Sequence, residues 1–465
     1  MLTTVVETRS DRSLLWLVAG GLFMLTLDAT IVTTALPAMA RSLGESPLSL
    51  QSVIVAYVMT MALLIPASGW LADRFGTRRT YITAIALFTV GSLCCGMAQD
   101  LEQLLAARVL QGLGSALMLP VGRLAVIRLF TGSRLLPAIS FVTIPSLIGP
   151  LIGPALGGWL VQVASWQWIF LINVPVGCLG VLAACKYMPG QPLKGLGRFD
   201  FAGYGFLAAG MLCITLALDG IASFGFDWRL FLALAMAGLA SLAGYWRHAR
   251  RYREPLFPLG LFVVDSMRLG LLGNFAARLG CSSTPFLLPL FLQVGQCYSP
   301  LNAGLLMLPV ALSGILVKSL TNRLVTRVGY RNFLVANTLL IGLTIASFAI
   351  GQGPRSIGVQ VLALCVFGAF NSLQLTAMST LTLKDLGPHQ TSSGNSALTM
   401  VQMLSMGFGV SCAGGLLVFF THVFAGLADA THMAFQATFV FMGVLTLLSA
   451  GIFLRLKGLA QQPHR

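Results

Sequence analysis

Three ionisable side chains stand inside long apolar stretches of this sequence. Asp28, Arg108 and Arg278 each have mostly apolar neighbours on both sides, over stretches long enough to form a helix. Charged groups in a hydrocarbon environment are costly, and those that occur tend to bind ions or substrates. A carboxylate that is desolvated and also close to a positive charge can take up and release a proton. These three residues are therefore the first candidates for chemistry.

Asp28 and Arg108 are expected to act together. By the predicted bounds, Asp28 is the only carboxylate well inside an apolar span. A helix rises 1.5 Å per residue, so Asp28 lies about 21 Å from the start of the first span and Arg108 about 8 Å from the start of the fourth. If these spans run in opposite directions, the two side chains share one level. We predict that they carry proton coupling; a purely structural ion pair is the alternative.

Arg278 lies about 15 Å into the ninth predicted span, near its middle, with Asn274 one turn earlier. We hypothesise that Arg278 either neutralises Asp28 or binds an anionic group of a substrate. A guanidinium satisfied by backbone carbonyls is the alternative. Amide side chains can line a polar cavity, although they also hold membrane helices together. Three further amides are candidates for such a substrate cavity: Gln111, Asn371 and Gln374.

The elements that position these residues follow from composition. Of the 465 residues, 56% are hydrophobic and 9% charged, whereas an ordinary soluble domain has about 25% charged residues. A bilayer core of about 30 Å takes about 20 apolar helical residues to cross. The sequence therefore predicts an all-α polytopic membrane protein. Its fourteen transmembrane helices are predicted at 14–36, 51–72, 80–98, 103–126, 136–161, 168–187, 202–220, 229–246, 268–293, 301–320, 332–351, 356–379, 393–420 and 436–455.

The positive charges indicate an orientation and exclude nucleic acid as a partner. The net charge is +15, but 24 of the 29 Lys and Arg residues fall in connections on one side of the predicted spans. Only Arg41, Arg229 and Arg355 fall on the other side. Cytoplasmic loops carry the excess of Lys and Arg, so both termini are predicted to be cytoplasmic. The connector at 247–267, which includes Arg253, is expected to contact anionic lipid.

A five-residue pattern repeats at one topological place. R-x-G-x-R follows the second span at 74–78 and the tenth span at 327–331. The predicted organisation is therefore an N-terminal six-helix half at 1–190, an inserted helix pair with its cytoplasmic loop at 191–265, and a C-terminal six-helix half at 266–465. Transporters are commonly built from such repeats and hold substrate between them.

Two glycine-containing segments stand out beside the charges. In the fifth span, small residues recur every four positions, which lets membrane helices pack closely, and prolines between them introduce bends. The members of this segment are Gly149, Pro150, Gly153, Pro154, Gly157 and Gly158. The loop after the second span combines glycines, which allow a tight turn, with charges. Its members are Gly69, Asp73, Arg74, Gly76 and Arg78.

Five segments together resemble the fourteen-spanner drug:proton antiporters of the major facilitator superfamily: 27–37, 69–79, 108–115, 149–158 and 166–175. The resemblance implies a fold of two six-helix halves plus two inserted helices, in a bacterial cytoplasmic (inner) membrane. It also implies that the 69–78 loop is a gate that latches the halves, and that the fifth-span motif belongs to export. The second copy of the loop has Thr326 where Asp73 would align, so any latch there is weaker.

Other function classes lack the residues they need. The sequence contains no G-x-x-x-x-G-K-[ST] loop for nucleotide and no nucleophile constellation, so neither an ATP-driven pump nor an enzyme is predicted. No cofactor or metal is expected, and His422, Asp429 and His432 are interpreted as ordinary solvated residues. The expected partners are a small-molecule substrate, protons and membrane lipid, with the chain monomeric. We predict a proton-coupled exporter working by alternating access. An exporter of small organic anions or metal chelates, or an uncoupled facilitator, remains the alternative.

Overall fold

The computed structural model of the protein describes residues 9–190, 199–224, 227–252, 254–350, 357–387, 390–427 and 429–456. These residues form α-helices with short 3-10 and π segments and contain no strand. Among these residues, thirteen helices are long and apolar enough to cross a membrane, and Leu320–Val328 with Tyr330–Ser347, bent by 119°, provides a fourteenth span if counted as one. The predicted all-α polytopic class is confirmed. Arg253, Arg355 and residues 191–198, which follow the predicted boundary at 190/191, lie outside the described residues.

The chain divides into two compact units. The first unit comprises residues 1–199 and 299–305. Its helices are α1 (Arg9–Leu43), α2 (Gln51–Phe75), α3 (Thr77–Met97), α4 (Leu101–Leu129), α5 (Leu135–Val163), α6 (Trp168–Leu171) and α7 (Asn173–Tyr187).

The second unit comprises residues 200–298 and 306–465. Its helices, with α12 beginning in the first unit, are α8 (Phe201–Phe224), α9 (Trp228–Ala249), α10 (Gly260–Val263), α11 (Asp265–Leu290), α12 (Pro300–Leu306), α13 (Leu308–Val317), α14 (Leu320–Val328), α15 (Tyr330–Ser347), α16 (Ile357–Leu383), α17 (Thr391–Val423) and α18 (Ala430–Leu454). The inserted pair, α8 and α9, falls in this second unit, and the three-part division of the chain stays a prediction.

Several predicted spans are interrupted. The sixth is broken at Ile172, between α6 and α7. The ninth ends in a π-helical turn at Phe291–Gly295; Pro289, just before it, has no N–H to donate, which disturbs the regular ladder. The tenth is divided into α12 and α13, and α13 restarts with Pro309 in its first turn, where the missing N–H costs nothing.

The second unit contains a buried helical carboxylate besides those of the first, Asp219. Helix α8 continues to Phe224, four residues beyond the predicted end of that span. Asp219 therefore lies inside a helix, 5% exposed, and accepts a hydrogen bond from the Ser411 hydroxyl of α17 at 3.3 Å. A carboxylate at the end of a predicted span is expected to be solvated, whereas packing against α17 buries this one.

The repeated R-x-G-x-R pattern has one backbone geometry in both copies. Gly76, between α2 and α3, has φ 84° and ψ 147°. Gly329, between α14 and α15, has φ 80° and ψ 151°. This region of conformational space is essentially restricted to glycine. Each glycine is therefore required by a sharp turn between helices, and the equivalence of the two turns supports an internal repeat.

Candidate proton-coupling site and gate

The centre of the first unit holds a buried ion pair. Nη1 of Arg108, on α4, donates to Oδ2 of Asp28, on α1, at 2.8 Å, and the two side chains are 1% and 0% exposed. The distance agrees with the shared level that the helical rise predicts. No local sequence pattern shows this contact, because the two residues are 80 positions apart. The role of the pair in coupling stays a prediction.

Uncharged side chains of α4 and α7 complete the hydrogen bonds of the Asp28 carboxylate. Nε2 of Gln111 donates to Oδ1 of Asp28 at 2.9 Å and to the Ser92 hydroxyl of α3 at 2.7 Å. Nδ2 of Asn173 donates to the same Oδ1 at 3.2 Å. Asn173 is the first residue of α7, directly after the break at Ile172. Both carboxylate oxygens are thus hydrogen-bonded.

Arg108 has neutral partners as well as Asp28. Its Nη1 donates to Oε1 of Gln111 at 2.5 Å, and its Nε donates to the Val53 carbonyl at 3.3 Å. Its guanidinium lies 4.2 Å from the centroid of the Tyr57 ring and 5.4 Å from that of Phe170. Aromatic faces attract cations, so this guanidinium keeps favourable contacts when the carboxylate is not ionised.

Asp28 can gain or lose a proton in this arrangement without leaving its own charge, or that of Arg108, buried and without partners. With Asp28 ionised, the donors from Arg108, Gln111 and Asn173 match its two acceptor oxygens. With Asp28 protonated, one oxygen becomes a donor, while Arg108 keeps an amide oxygen, a carbonyl and two ring faces. A buried charge without such partners is strongly unfavourable. We refer to Asp28, Arg108, Gln111 and Asn173 as the Asp28 network.

Gln111 was predicted to line a substrate cavity, but the structure places it inside this network, fully buried. Gln374 is similarly enclosed in the second unit. Its Oε1 accepts from Nδ2 of Asn337 at 2.7 Å, and its Nε2 donates to the Thr338 hydroxyl at 2.7 Å. In this conformation both amides have their hydrogen bonds satisfied by protein, whereas Asn371 is half-buried. The substrate roles of all three remain predictions.

Asn274 belongs to a polar cluster that joins three helices of the second unit. Its Nδ2 donates to the Gly270 carbonyl at 2.9 Å and to the Thr382 hydroxyl of α16 at 3.2 Å. Its Oδ1 accepts from Nε2 of Gln402, on α17, at 3.3 Å. That amide nitrogen also contacts the Ser379 hydroxyl at 3.1 Å.

Arg278 lies one turn along α11 from Asn274. Its Nε is buried and has no hydrogen-bond partner among the described residues. The alternative in which Arg278 neutralises Asp28 loses its motivation, because Asp28 is already paired with Arg108. An orphaned guanidinium nitrogen is instead what an anion-binding site would present when empty. Anion binding at Arg278 stays a prediction.

The predicted gate loop is tied to helices of its own unit. Asp73, near the end of α2, forms an ion pair with Arg128 near the end of α4. Arg78 donates to the Cys185 carbonyl of α7. Arg74 is exposed. Gly69 is also exposed, and an added Cβ there meets no atom within 4 Å, so close packing does not explain this glycine. Whether the loop also latches the two halves stays a prediction.

The glycines of α5 pack against α1, as close-packing small residues do. An added Cβ at Gly149 would lie 2.7 Å from the backbone nitrogen of Leu27, and one at Gly157 would lie 2.5 Å from the Ile31 carbonyl. The Thr34 hydroxyl donates to the Pro154 carbonyl at 3.2 Å. On another side of α5, an added Cβ at Gly158 would collide with the carbonyl of Pro300. An added Cβ at Gly153 would collide with the Thr30 side chain of α1. The helix α5 remains helical through Pro150. The glycine face therefore sets the position of Asp28 on α1.

Sequence reasoning missed several members of the site. Asn173 was noticed only as part of a family segment, and Ser92, Tyr57 and Arg128 were not singled out. A polar residue in the middle of an apolar run, as Ser92 is in α3, was the one available signal. Which of many such residues meet at a site depends on how the helices are rotated and packed, and no local pattern contains that information.

Comparison with known proteins identifies the class. The family model described as Major Facilitator Superfamily matches residues 18–410. The chain belongs to this superfamily, and it is accordingly a multi-pass membrane transporter.

Two close relatives are both named "Putative multidrug resistance protein MdtD". The protein from Pectobacterium carotovorum subsp. carotovorum (strain PC1) is 48% identical over 453 residues, covering 97% of each chain. The protein from Serratia proteamaculans (strain 568) is 47% identical over 452 residues, covering 97% of this chain and 94% of the relative. Similarity therefore extends over nearly the full length of both proteins.

Solved structures of two transporters share the fold. The nucleoside transporter NupG matches with a TM-score of 0.66 at 14% identity, over 95% of this chain and 99% of its own. A POT family transporter matches with a TM-score of 0.68 at 16% identity, over 96% and 95%. At such low identity these matches concern the fold alone.

Proposed function

We propose that this protein is a proton-coupled exporter of small molecules that works by alternating access in a bacterial cytoplasmic (inner) membrane, with both termini in the cytoplasm. The Asp28 network carries the proposal, because it combines a buried carboxylate with a cation that keeps partners in either protonation state. Export of drug-like molecules is supported by the names of the relatives and by the glycine motif of α5. The gate role of the Asp73 loop, and a monomeric state, belong to the same proposal.

In the proposed cycle, Asp28 takes up a proton from the outside and releases it on the cytoplasmic side. Protonation removes the ion pair with Arg108, whose guanidinium then depends on Gln111, the Val53 carbonyl and the ring of Tyr57. The donors that held the carboxylate are released at the same step. Because they lie on α4 and α7, the change alters the forces between these helices and α1. Such a local change is the kind that biases a transporter between its two access states.

The experiment is transport into inverted membrane vesicles that carry the full-length protein. We expect uptake of a lipophilic dye to require a proton gradient and to stop when a protonophore collapses it. Asp28→Asn should abolish gradient-driven uptake while the protein still inserts. Asp219→Asn is the matched control, since it neutralises a second buried carboxylate outside the Asp28 network and should retain proton dependence. Gradient-independent uptake by the wild type, or unchanged uptake by Asp28→Asn, would rule out the coupling.

Arg278 supports a second candidate, export of small organic anions or metal chelates. Its buried Nε has no partner among the described residues, and a buried guanidinium pairs well with a carboxylate or phosphate. In the same vesicles, Arg278→Gln should reduce uptake of organic anions more than uptake of lipophilic cations, and Arg278→Lys should retain part of it. Equal loss of both substrate classes would exclude a specific anion contact.

A further inference from the structure

We propose that the first unit carries a groove that binds one acyl chain of an anionic phospholipid. A cavity of about 360 Å³ lies between α1 and α7. It shares no lining residue with the Asp28 network. The groove is thus a separate feature, and the proposal does not depend on the proposed transport function.

Two facing stripes of small and apolar residues line the groove lengthwise. On α1 the stripe runs from Ser13 to Met24, and on α7 it runs from Val176 to Tyr187. Each stripe covers eleven helical steps, or about 16 Å at 1.5 Å per residue. That length is about half of a 30 Å hydrocarbon core. The groove therefore matches the depth of a single leaflet.

The groove is open along one side. Trp16 and Leu179, at its rim, are 59% and 68% exposed. Ile85 and Met118 close its floor and are almost fully buried. An added Cβ at Gly20 would meet no atom within 4 Å, so this glycine leaves open space in the groove.

Positive charge surrounds one end of the groove. Because α1 and α7 are the first and sixth of six alternating spans, Ser13 and Tyr187 lie at the same end. Arg12 and Lys186 are exposed there, and Nζ of Lys186 lies 5.3 Å from the Tyr187 ring centroid. The acidic residue at this end, Asp11, is paired with Arg134 at 3.1 Å. Basic pockets beside apolar helix surfaces favour anionic lipid headgroups.

The dimensions and charge of the groove favour one occupant over the others. The volume of about 360 Å³ is spread over a length of about 16 Å, so the groove is long and narrow. This suits a single hydrocarbon chain, whose carbons contact neighbours at about 3.5–4.0 Å. A helix from a second copy is about 10–12 Å across and does not fit. A lipophilic cation would meet repulsion at the basic end, whereas a phosphate headgroup would be attracted there.

The test is native mass spectrometry of the delipidated full-length protein after addition of dioleoyl phosphatidylglycerol or dioleoyl phosphatidylethanolamine. We expect the wild type to retain one phosphatidylglycerol in preference to phosphatidylethanolamine. Gly20→Leu should reduce retention about tenfold, since it displaces about two buried methylene groups of the chain. Gly205→Leu is the matched control, because its Cβ also meets no atom within 4 Å and Gly205, on α8, does not line the groove.

Further variants separate the acyl chain from the headgroup. Ala183→Leu fills the groove from α7 and serves if Gly20→Leu fails to fold. Replacing Arg12 and Lys186 together by Gln should remove the preference for phosphatidylglycerol while a lipid is still retained. Equal retention of the two lipids by the wild type would overturn the proposal. So would wild-type retention by both filling variants, or an equal loss in Gly205→Leu.

Discussion

The two units bury their polar side chains in different ways. In the first, an ion pair is completed by uncharged donors, and four helices, α1, α3, α4 and α7, contribute to it. In the second, Asn337, Thr338 and Gln374 form a neutral network between α15 and α16 alone. A neutral amide network holds helices together and does not respond to a proton. The charged network can change state, and its charges need several partners because an incompletely satisfied buried charge is costly.

The two R-x-G-x-R turns repeat this contrast at the helix ends. Their glycines have the same backbone conformation. Asp73 in the first copy bonds to Arg128 of another helix, whereas Thr326 in the second donates only to carbonyls of its own helix, those of Asn322 and Arg323. The repeat has therefore kept the turn, while among the described residues an ion pair from the turn to a neighbouring helix occurs only in the first copy.

The largest effect is expected from breaking the ion pair. Arg108→Gln should lower the free energy of unfolding by about 3–5 kcal/mol, because it removes one partner of a buried charge pair. Adding Asp28→Asn should recover part of that loss while transport stays abolished, since no unpaired charge remains. Denaturant titration in detergent, with transport in vesicles, checks both effects. A double variant less stable than Arg108→Gln would contradict the ion-pair account.

Breaking the neutral network of Asn337, Thr338 and Gln374 should lower the free energy of unfolding by less. Gln374→Leu should cost about 1–3 kcal/mol, because the Thr338 hydroxyl and the Asn337 amide each lose a buried partner. Proton-dependent transport should remain at a reduced level. Gln111→Leu is the corresponding change in the first unit, and it should abolish coupling. The same vesicle assay compares the two, and loss of proton dependence in Gln374→Leu would remove the distinction between the networks.

Gly76→Ala and Gly329→Ala test whether the two turns are equivalent. Each should lose about 1–3 kcal/mol, since a side chain is strained in this region of conformational space. Thermal unfolding in detergent measures the loss. Gly358→Ala is the control, because this helical glycine has open space around its Cβ and alanine is favoured in helices by about 0.5–1 kcal/mol. Strongly different losses at the two turns would argue against equivalence.

The smallest effect on stability is expected at the gate pair. Asp73→Asn or Arg128→Gln should change the free energy of unfolding by about 1 kcal/mol or less, as for other partly exposed pairs. Transport should nevertheless fall several-fold if the pair helps to hold the loop. Thr326→Ala is the matched change in the second copy and should leave transport unaltered. Melting curves and vesicle transport together separate the two roles, and unchanged transport in both Asp73 and Arg128 variants would exclude a gate function.

Much of the fold could be predicted from local pattern. Long apolar runs fixed the helical membrane class, and the R-x-G-x-R spacing pointed to two equivalent turns that the glycine conformations support. The burial of Asp219 could not be predicted, because it depends on contact between α8 and α17. The break at Ile172 was equally hidden, since the apolar run continues across it.

The sequence by itself determined that Asp28 and Arg108 must be accounted for together, because an apolar span leaves a charged side chain few partners and helical rise places both at one depth. Tertiary structure alone decided which uncharged residues complete the site, that Gln111 belongs to it, and that a nitrogen of Arg278 has no partner among the described residues. The physical reason is directional: hydrogen bonds require atoms from separate helices within about 3 Å. Helix rotation and packing set those distances, and they depend on contacts along the whole length of each helix.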